Sequence, residues 1–281
     1  MELSTVFLLF IAALGASALG GLLGMASGIF IVPILTIFFG VDIHTAIGAS
    51  LVSVIACSCG SAASFLKERL TNVRLAVVLE SATTLGALSG ALMIGIVPTT
   101  FLYGLFAFIL FVSAQQMLAR RREVINSVED DHKNWGTLLQ LHSSYPDAVL
   151  GKEIAYNVSS VPLGMVLMYI AGVISALLGI GSGVLKIPAM DKALQLPIKV
   201  SSATSSFMIG VTAAASASVY LFRGEIDMGI TGPVVLGSVI GALLGARLLM
   251  KVSAEKLRVA FVVVLAILAV QMLMNAFGIQ I

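Results

Sequence analysis

Two glycine- and serine-rich motifs lie inside long apolar stretches, and each is followed five residues later by a proline. Residues 21–28 read Gly-Leu-Leu-Gly-Met-Ala-Ser-Gly before Pro33, and residues 176–183 read Ala-Leu-Leu-Gly-Ile-Gly-Ser-Gly before Pro188. Each motif predicts a helix break, with its proline as a helix-break residue. A half-helix that starts at such a break points its free N–H groups and positive dipole end at it, which attracts an anion. We therefore predict an anion site that includes Gly24, Ser27, Gly28, Gly181, Ser182 and Gly183. The alternative is that these small residues merely allow tight helix packing.

Two charged residues lie within apolar stretches. Lys186 follows the second break, where the first motif has Ile31. A lysine at the bilayer centre costs about 2.5–3.5 kcal/mol, so it needs an anionic partner, water or a route to the surface. Lys186 could complete the anion pocket, or it could extend its amine to the membrane surface. Glu80 is a candidate for proton coupling, and the alternative is a structural ion pair with Arg247.

Hydroxyl residues follow both motifs at matching positions. Ser50 in the first half corresponds to Ser205 in the second, next to Thr204. These side chains are candidates for lining the same cavity, although serine and threonine also bond to their own helix or to neighbouring helices. Cys57 and Cys59 would point to different faces of a helix, which disfavours a disulfide or a metal site between them. We expect no metal and no cofactor.

An intramembrane serine hydrolase is a third reading of the second motif, because Ser182 is flanked by glycines. Such a nucleophile needs a base within hydrogen-bond reach. None of the three histidines lies in a span near Ser182: one is at a loop edge, His44, and two are in the polar loop, His132 and His142. We therefore do not expect an enzyme.

The composition identifies the solvent of this chain as lipid. Hydrophobic residues make up 59% of its 281 residues and charged residues 11%, against about 25% charged residues in soluble domains. The mean hydropathy is +1.07. A chain with so few charges cannot cover a globular surface with groups that water solvates. The net charge is +2. The basic residues form no cluster with interleaved aromatic residues, so a nucleic-acid partner is not expected.

The chain contains an internal repeat. A shift of 155 residues aligns residues 22–118 with 177–273 without a gap and places glycines, prolines and glutamines in register. Repeats of this kind are typical of transporter folds. We divide the chain into a first transmembrane repeat (1–119), a cytoplasmic linker loop (120–157), expected to be solvated with a short interfacial helix, and a second transmembrane repeat (158–281).

Each repeat contains four apolar segments, of which the first is too long for one span. Residues 3–39 and 158–195 would each form a helix of about 55 Å at 1.5 Å per residue, against a hydrocarbon core of about 30 Å. A hairpin of two shorter helices fits better. The expected fold is an all-α polytopic membrane protein of two inverted repeats, each a broken re-entrant-type hairpin followed by three transmembrane helices.

The distribution of lysine and arginine sets the expected orientation. If each hairpin returns to its own side, almost all basic residues outside the spans lie on one side, and Arg223 is the clear exception. The positive-inside rule then places the 120–157 loop in the cytoplasm and both termini outside.

The two glycine-rich breaks with their prolines, each followed by a helix rich in small residues and hydroxyls, resemble the TauE/SafE sulfite exporter family, also called the toluene-sulfonate uptake permease family. The resemblance covers nearly the whole chain outside the central loop. It implies a secondary transporter of sulfite, sulfonate or a related organic anion, coupled to protons, in the inner membrane of a bacterium or archaeon. An anion channel is the alternative. The expected partners are the anion, the bilayer and protons, and a homodimer is an assembly that the sequence permits.

Overall fold

The computed structural model describes residues 3–23, 27–118, 135–147, 152–249 and 254–277. The first half of the chain contains five helices: α1 (Leu3–Leu23), α2 (Gly28–Phe38), α3 (Ile43–Lys67), α4 (Val73–Leu92) and α5 (Thr99–Leu118). A short helix and two strands follow: α6 (Trp135–Leu138), β1 (Ser143–Asp147) and β2 (Lys152–Tyr156). The second half contains five more helices: α7 (Val161–Leu178), α8 (Gly183–Ala193), α9 (Ile198–Phe222), α10 (Met228–Leu249) and α11 (Ala254–Ala276).

Five of the described helices are long and apolar enough to cross a membrane, namely α3, α4, α5, α7 and α9. Shorter apolar stretches lie in the other long helices and in α2. Their outward faces carry large exposed apolar side chains, including Phe7, Phe101, Phe108 and Ile170. Lipid tails solvate such faces. The prediction of a multi-pass membrane protein is therefore confirmed.

The helices of the two halves begin at equivalent positions. α8, α9, α10 and α11 each start 155 residues after α2, α3, α4 and α5. The packing is also equivalent: α1 lies along α10 as α7 lies along α4, while α3 packs on α9 and α5 on α11. Close approach depends on glycine, because a Cβ at Gly86 would overlap the backbone of Tyr169, and one at Gly241 would overlap the backbone of Leu14.

The first apolar segment of each half is divided into two helices of unequal length. α1 has 21 residues and α2 has 11, while α7 has 18 and α8 has 11. Eleven residues rise about 16 Å, roughly half of the hydrocarbon core. Gly28 and Gly183, the first residues of α2 and α8, are buried, so both short helices begin inside the protein and not at its surface.

The assignment of the two prolines as helix-break residues was wrong. Pro33 and Pro188 lie inside α2 and α8, each five residues after the glycine that begins the helix. A proline removes one backbone hydrogen bond without ending the helix when packing against neighbouring helices stabilises both sides of it. The chain changes direction earlier, at the glycine and serine residues.

The described part of the linker is more ordered than predicted. β1 and β2 pair as an antiparallel hairpin, and Leu141, Tyr145 and Tyr156 are buried in an apolar cluster with residues of α4, α7, α8 and α9. Asn72 caps α4 and donates to the Leu141 carbonyl at 2.8 Å and to the Tyr156 hydroxyl at 3.0 Å. Burial raises the pKa of the Tyr156 phenol. The described linker residues thus include the predicted short helix and many exposed side chains, but Leu141, Tyr145 and Tyr156 anchor the segment to the helices.

Candidate functional site

The two helix breaks lie against each other. A Cβ added at Gly28, the first residue of α2, would overlap the carbonyl oxygen of Gly179 and come within 3.1 Å of the Cα of Ile180. The Ser50 hydroxyl on α3 donates to the same Gly179 carbonyl at 2.8 Å. Ser50 therefore satisfies a backbone acceptor at the C-terminal end of α7, where the helix stops before the second break. Only a glycine at position 28 allows this approach without displacing the backbone of the other half.

The start of α8 presents unpaired polar groups. Gly181 and Ser182 both have left-handed backbone conformations, with φ of 73° and 55°. This turn ends the α7 direction and starts α8, whose amides at Leu185 and Lys186 donate to the Ser182 carbonyl. The hydroxyls of Ser182 and Ser205 are completely buried, and neither has a hydrogen-bond partner among the described residues. A buried hydroxyl without a partner is costly, which indicates a place for a polar ligand or water.

Lys186 lies one turn into α8 and pairs with Glu80 of α4. Its Nζ atom is 3.1 Å from Oε2 of Glu80, and the two side chains are 0% and 10% exposed. The alternative in which Lys186 reaches the membrane surface is therefore wrong. The structure also pairs Glu80 with Lys186 where the sequence suggested Arg247, whose side chain lies outside the described residues.

Thr212 on α9 completes this charged group. Its hydroxyl lies 2.6 Å from both Nζ of Lys186 and Oε1 of Glu80, so it accepts from the ammonium and donates to the carboxylate. Thr84 donates to the same Oε1 atom at 3.2 Å. An ammonium has three N–H donors, and two of those of Lys186 are used here. The third N–H has no acceptor among the described residues and is available to a ligand.

The equivalent region of the first half is polar but uncharged. Ser27, before α2, lies 3.9 Å from the sulfur of Cys57 on α3, and the hydroxyls of Ser17 and Ser53 are buried without a hydrogen-bond partner among the described residues. The repeat places Cys57 where the second half has Thr212. The same shift aligns Ile31 of the first half with Lys186 of the second. The charges of the described site therefore come from Glu80 of α4 and Lys186 of α8.

The remaining predicted residues divide between the site and its surroundings. A Cβ added at Gly183 would lie 3.7 Å from the Ser205 hydroxyl, so these two belong to one cluster with Ser182. Thr204 instead accepts a hydrogen bond from the backbone N–H of Asn72 at 3.2 Å, which links α9 to the start of α4. Gly24 lies outside the described residues.

Sequence reasoning missed Thr212. A hydroxyl in an apolar helix gives a weak signal, because such residues often bond only to their own helix, as Thr212 also does with the Met208 carbonyl at 3.1 Å. The alignment of the two halves could have drawn attention to the position, since it pairs Thr212 with Cys57. Nothing in the sequence pairs it with Glu80, which lies 132 residues away.

A bundle of apolar helices, with two short helices that start inside it and a buried cation on one of them, is typical of membrane transporters. Comparison with known proteins agrees. The sulfite exporter TauE/SafE family matches residues 9–272, and this chain belongs to that family. It is 28% identical to the probable membrane transporter protein YdhB of Bacillus subtilis over 81% of this chain and 83% of that protein. It is 25% identical to the probable membrane transporter protein YunE of the same organism over 95% and 96%. No solved structure matches the chain. The protein is thus a membrane transporter and not an enzyme.

Proposed function

We propose that this chain is a secondary transporter of a small oxyanion, sulfite or an organic sulfonate, bound between the two helix breaks. The observation that carries the proposal is the fully buried Lys186 ammonium one turn into α8, the helix that begins beside the unpaired hydroxyls of Ser182 and Ser205. A sulfonate group offers three acceptor oxygens around one negative charge. The Lys186 ammonium and these two hydroxyls are donors that match such a group in sign and in hydrogen-bonding chemistry.

The proposed architecture is that of two inverted repeats in a cytoplasmic membrane, with both termini outside. The equal 155-residue spacing of the helix starts and the reciprocal packing of α1 on α10 and α7 on α4 support the duplication. The positive-inside rule supports the orientation. Under this arrangement α2 and α8 enter from opposite sides and meet near the midplane, which is the usual place of a substrate site in such folds.

Glu80 is the proposed proton-coupling group. Among the described side chains, it is the one carboxylate that is buried. It contacts the buried cation directly, so a change in its protonation alters the charge that a substrate meets.

Uptake into proteoliposomes tests the proposal. Saturable uptake of labelled sulfite or ethanesulfonate, accelerated by an inward proton gradient, is expected for the wild type and lost in Lys186→Met. The matched control is Lys192→Met in the last turn of the same helix, where the side chain is exposed. A rate that rises linearly with anion concentration without saturation would favour a channel. Undiminished saturable uptake by Lys186→Met would remove the lysine from the site.

A further inference from the structure

In the described structure the Lys186 ammonium already forms an ion pair with a carboxylate of the protein itself, that of Glu80. Of the buried side chains described, Glu80 and Lys186 are the two charged ones. The Glu80 carboxylate accepts a hydrogen bond from one N–H of the Lys186 ammonium, and the Thr212 hydroxyl accepts one from a second N–H. A carboxylate and a sulfonate are similar in charge and in acceptor chemistry. Both would compete for the same ammonium at the same hydrogen-bond distance.

We propose that ionised Glu80 is a tethered competitor of the substrate, so that the site binds a singly charged anion together with one proton and disfavours dianions. This inference rests on the proposed function and specifies the charge of its substrate. When Glu80 takes up the proton, its hold on Lys186 weakens and the ammonium turns to the incoming anion. The proton is carried on a carboxylate oxygen of Glu80, and no covalent bond to the substrate forms or breaks.

Charge balance in a buried site supports a ratio of one to one. The pair of Lys186 and Glu80 is neutral, and a monoanion added alone would leave one uncompensated negative charge in a low-dielectric region, which is strongly unfavourable. One proton on Glu80 restores neutrality. A dianion would still leave a net negative charge. Among the described residues the first half adds no second buried cation, because Ile31 stands where the repeat has Lys186.

Other charged groups on the elements around Glu80 lie at helix ends. α7, which packs along α4, has no charged residue between Val161 and Leu178. Its Tyr169 hydroxyl is engaged with Ser89 at 3.1 Å. The remaining charged or titratable groups on α4, α8 and α9 are Arg74 in the first turn of α4, Asp191 and Lys192 in the last turn of α8, Lys199 at the start of α9 and Tyr220 near its end. Glu80 and Lys186 are therefore the pair that sets the charge of the site.

Calorimetric binding of ethanesulfonate to the purified full-length protein tests the inference, because the charge of a sulfonate does not change between pH 5.5 and 8.5. Because one proton is expected to bind with each anion, the Kd should rise about tenfold per pH unit, as linkage to one proton requires. Titrations in two buffers of different ionisation enthalpy should show one proton taken up per anion. Ethane-1,2-disulfonate should bind at least tenfold more weakly (about 1.4 kcal/mol).

The variant Glu80→Gln should bind ethanesulfonate tightly with no dependence on pH, while Glu68→Gln, an exposed carboxylate, should keep the wild-type slope. If the Kd of Glu80→Gln depends on pH as steeply as that of the wild type, another group takes up the proton and the inference is overturned. The absence of proton uptake in the wild type, which needs no variant, or equal affinity for the disulfonate would also overturn it. Each of those results would still be compatible with an anion transporter. The proposed function itself would be refuted if ethanesulfonate did not bind at any pH and neither ethanesulfonate nor sulfite showed saturable uptake.

Discussion

The buried pair between Glu80 and Lys186 should show strong energetic coupling. At 3.1 Å the attraction is about 5 kcal/mol for an effective dielectric constant of 20, and the cost of desolvating both charges offsets much of it. Truncating one partner leaves the other charge buried without compensation, which costs about 3–5 kcal/mol. Replacing both with neutral side chains of similar size removes the cost of both charges. The single variants Glu80→Gln and Lys186→Met should therefore each be destabilised, and the double variant should be close to the wild type.

The assay is the apparent melting temperature of the detergent-solubilised protein, followed by size-exclusion chromatography after heating. For a chain of this length about 1 kcal/mol corresponds to 2–4 °C, so each single variant should lose roughly 10 °C and the double variant a few degrees. Ethanesulfonate should restore much of the loss in Glu80→Gln by mass action, since it replaces the missing carboxylate. Additive losses in the double variant would refute the reasoning, because they would mean that the two charges do not depend on each other.

Three further predictions concern the contacts that hold the site. Gly28→Ala should abolish ethanesulfonate uptake, because its Cβ would overlap the Gly179 carbonyl, whereas Gly15→Ala, with open space around its Cβ, should transport normally; equal uptake by both would contradict the close approach of the breaks. Ser50→Ala should cost about 1–3 kcal/mol, since it leaves the Gly179 carbonyl unsatisfied, and an unchanged melting temperature would argue against this role. Asn72→Ala should remove the cap of α4, worth about 1 kcal/mol, together with two hydrogen bonds to the hairpin region. Limited proteolysis should then cut the segment near β1 and β2 sooner than in the wild type. Unchanged protection would show that the apolar cluster alone anchors this segment.

The sequence by itself determined the solvent, the repeat and the positions of the breaks. A charged fraction of 11% excludes a water-covered surface, and the 155-residue register anticipates the starts of α8 to α11 from those of α2 to α5. These features are local or periodic, because glycine and serine change the backbone wherever they stand and apolar length sets what can span a bilayer. The local rule failed for Pro33 and Pro188, where packing of α2 and α8 against neighbouring helices keeps the helix continuous.

The tertiary structure alone decided which residues meet. Glu80 and Lys186 are 106 residues apart, and Ser50 and Gly179 are 129 apart. Helical periodicity states which face a residue occupies, but not which face of another helix lies opposite it. That choice follows from the packing of α4 on α7 and α9 and of α8 on α9, which is set by side-chain shape along whole helices. For the same reason the sequence could mark Lys186 and Glu80 as charged residues in apolar segments but could not pair them with each other.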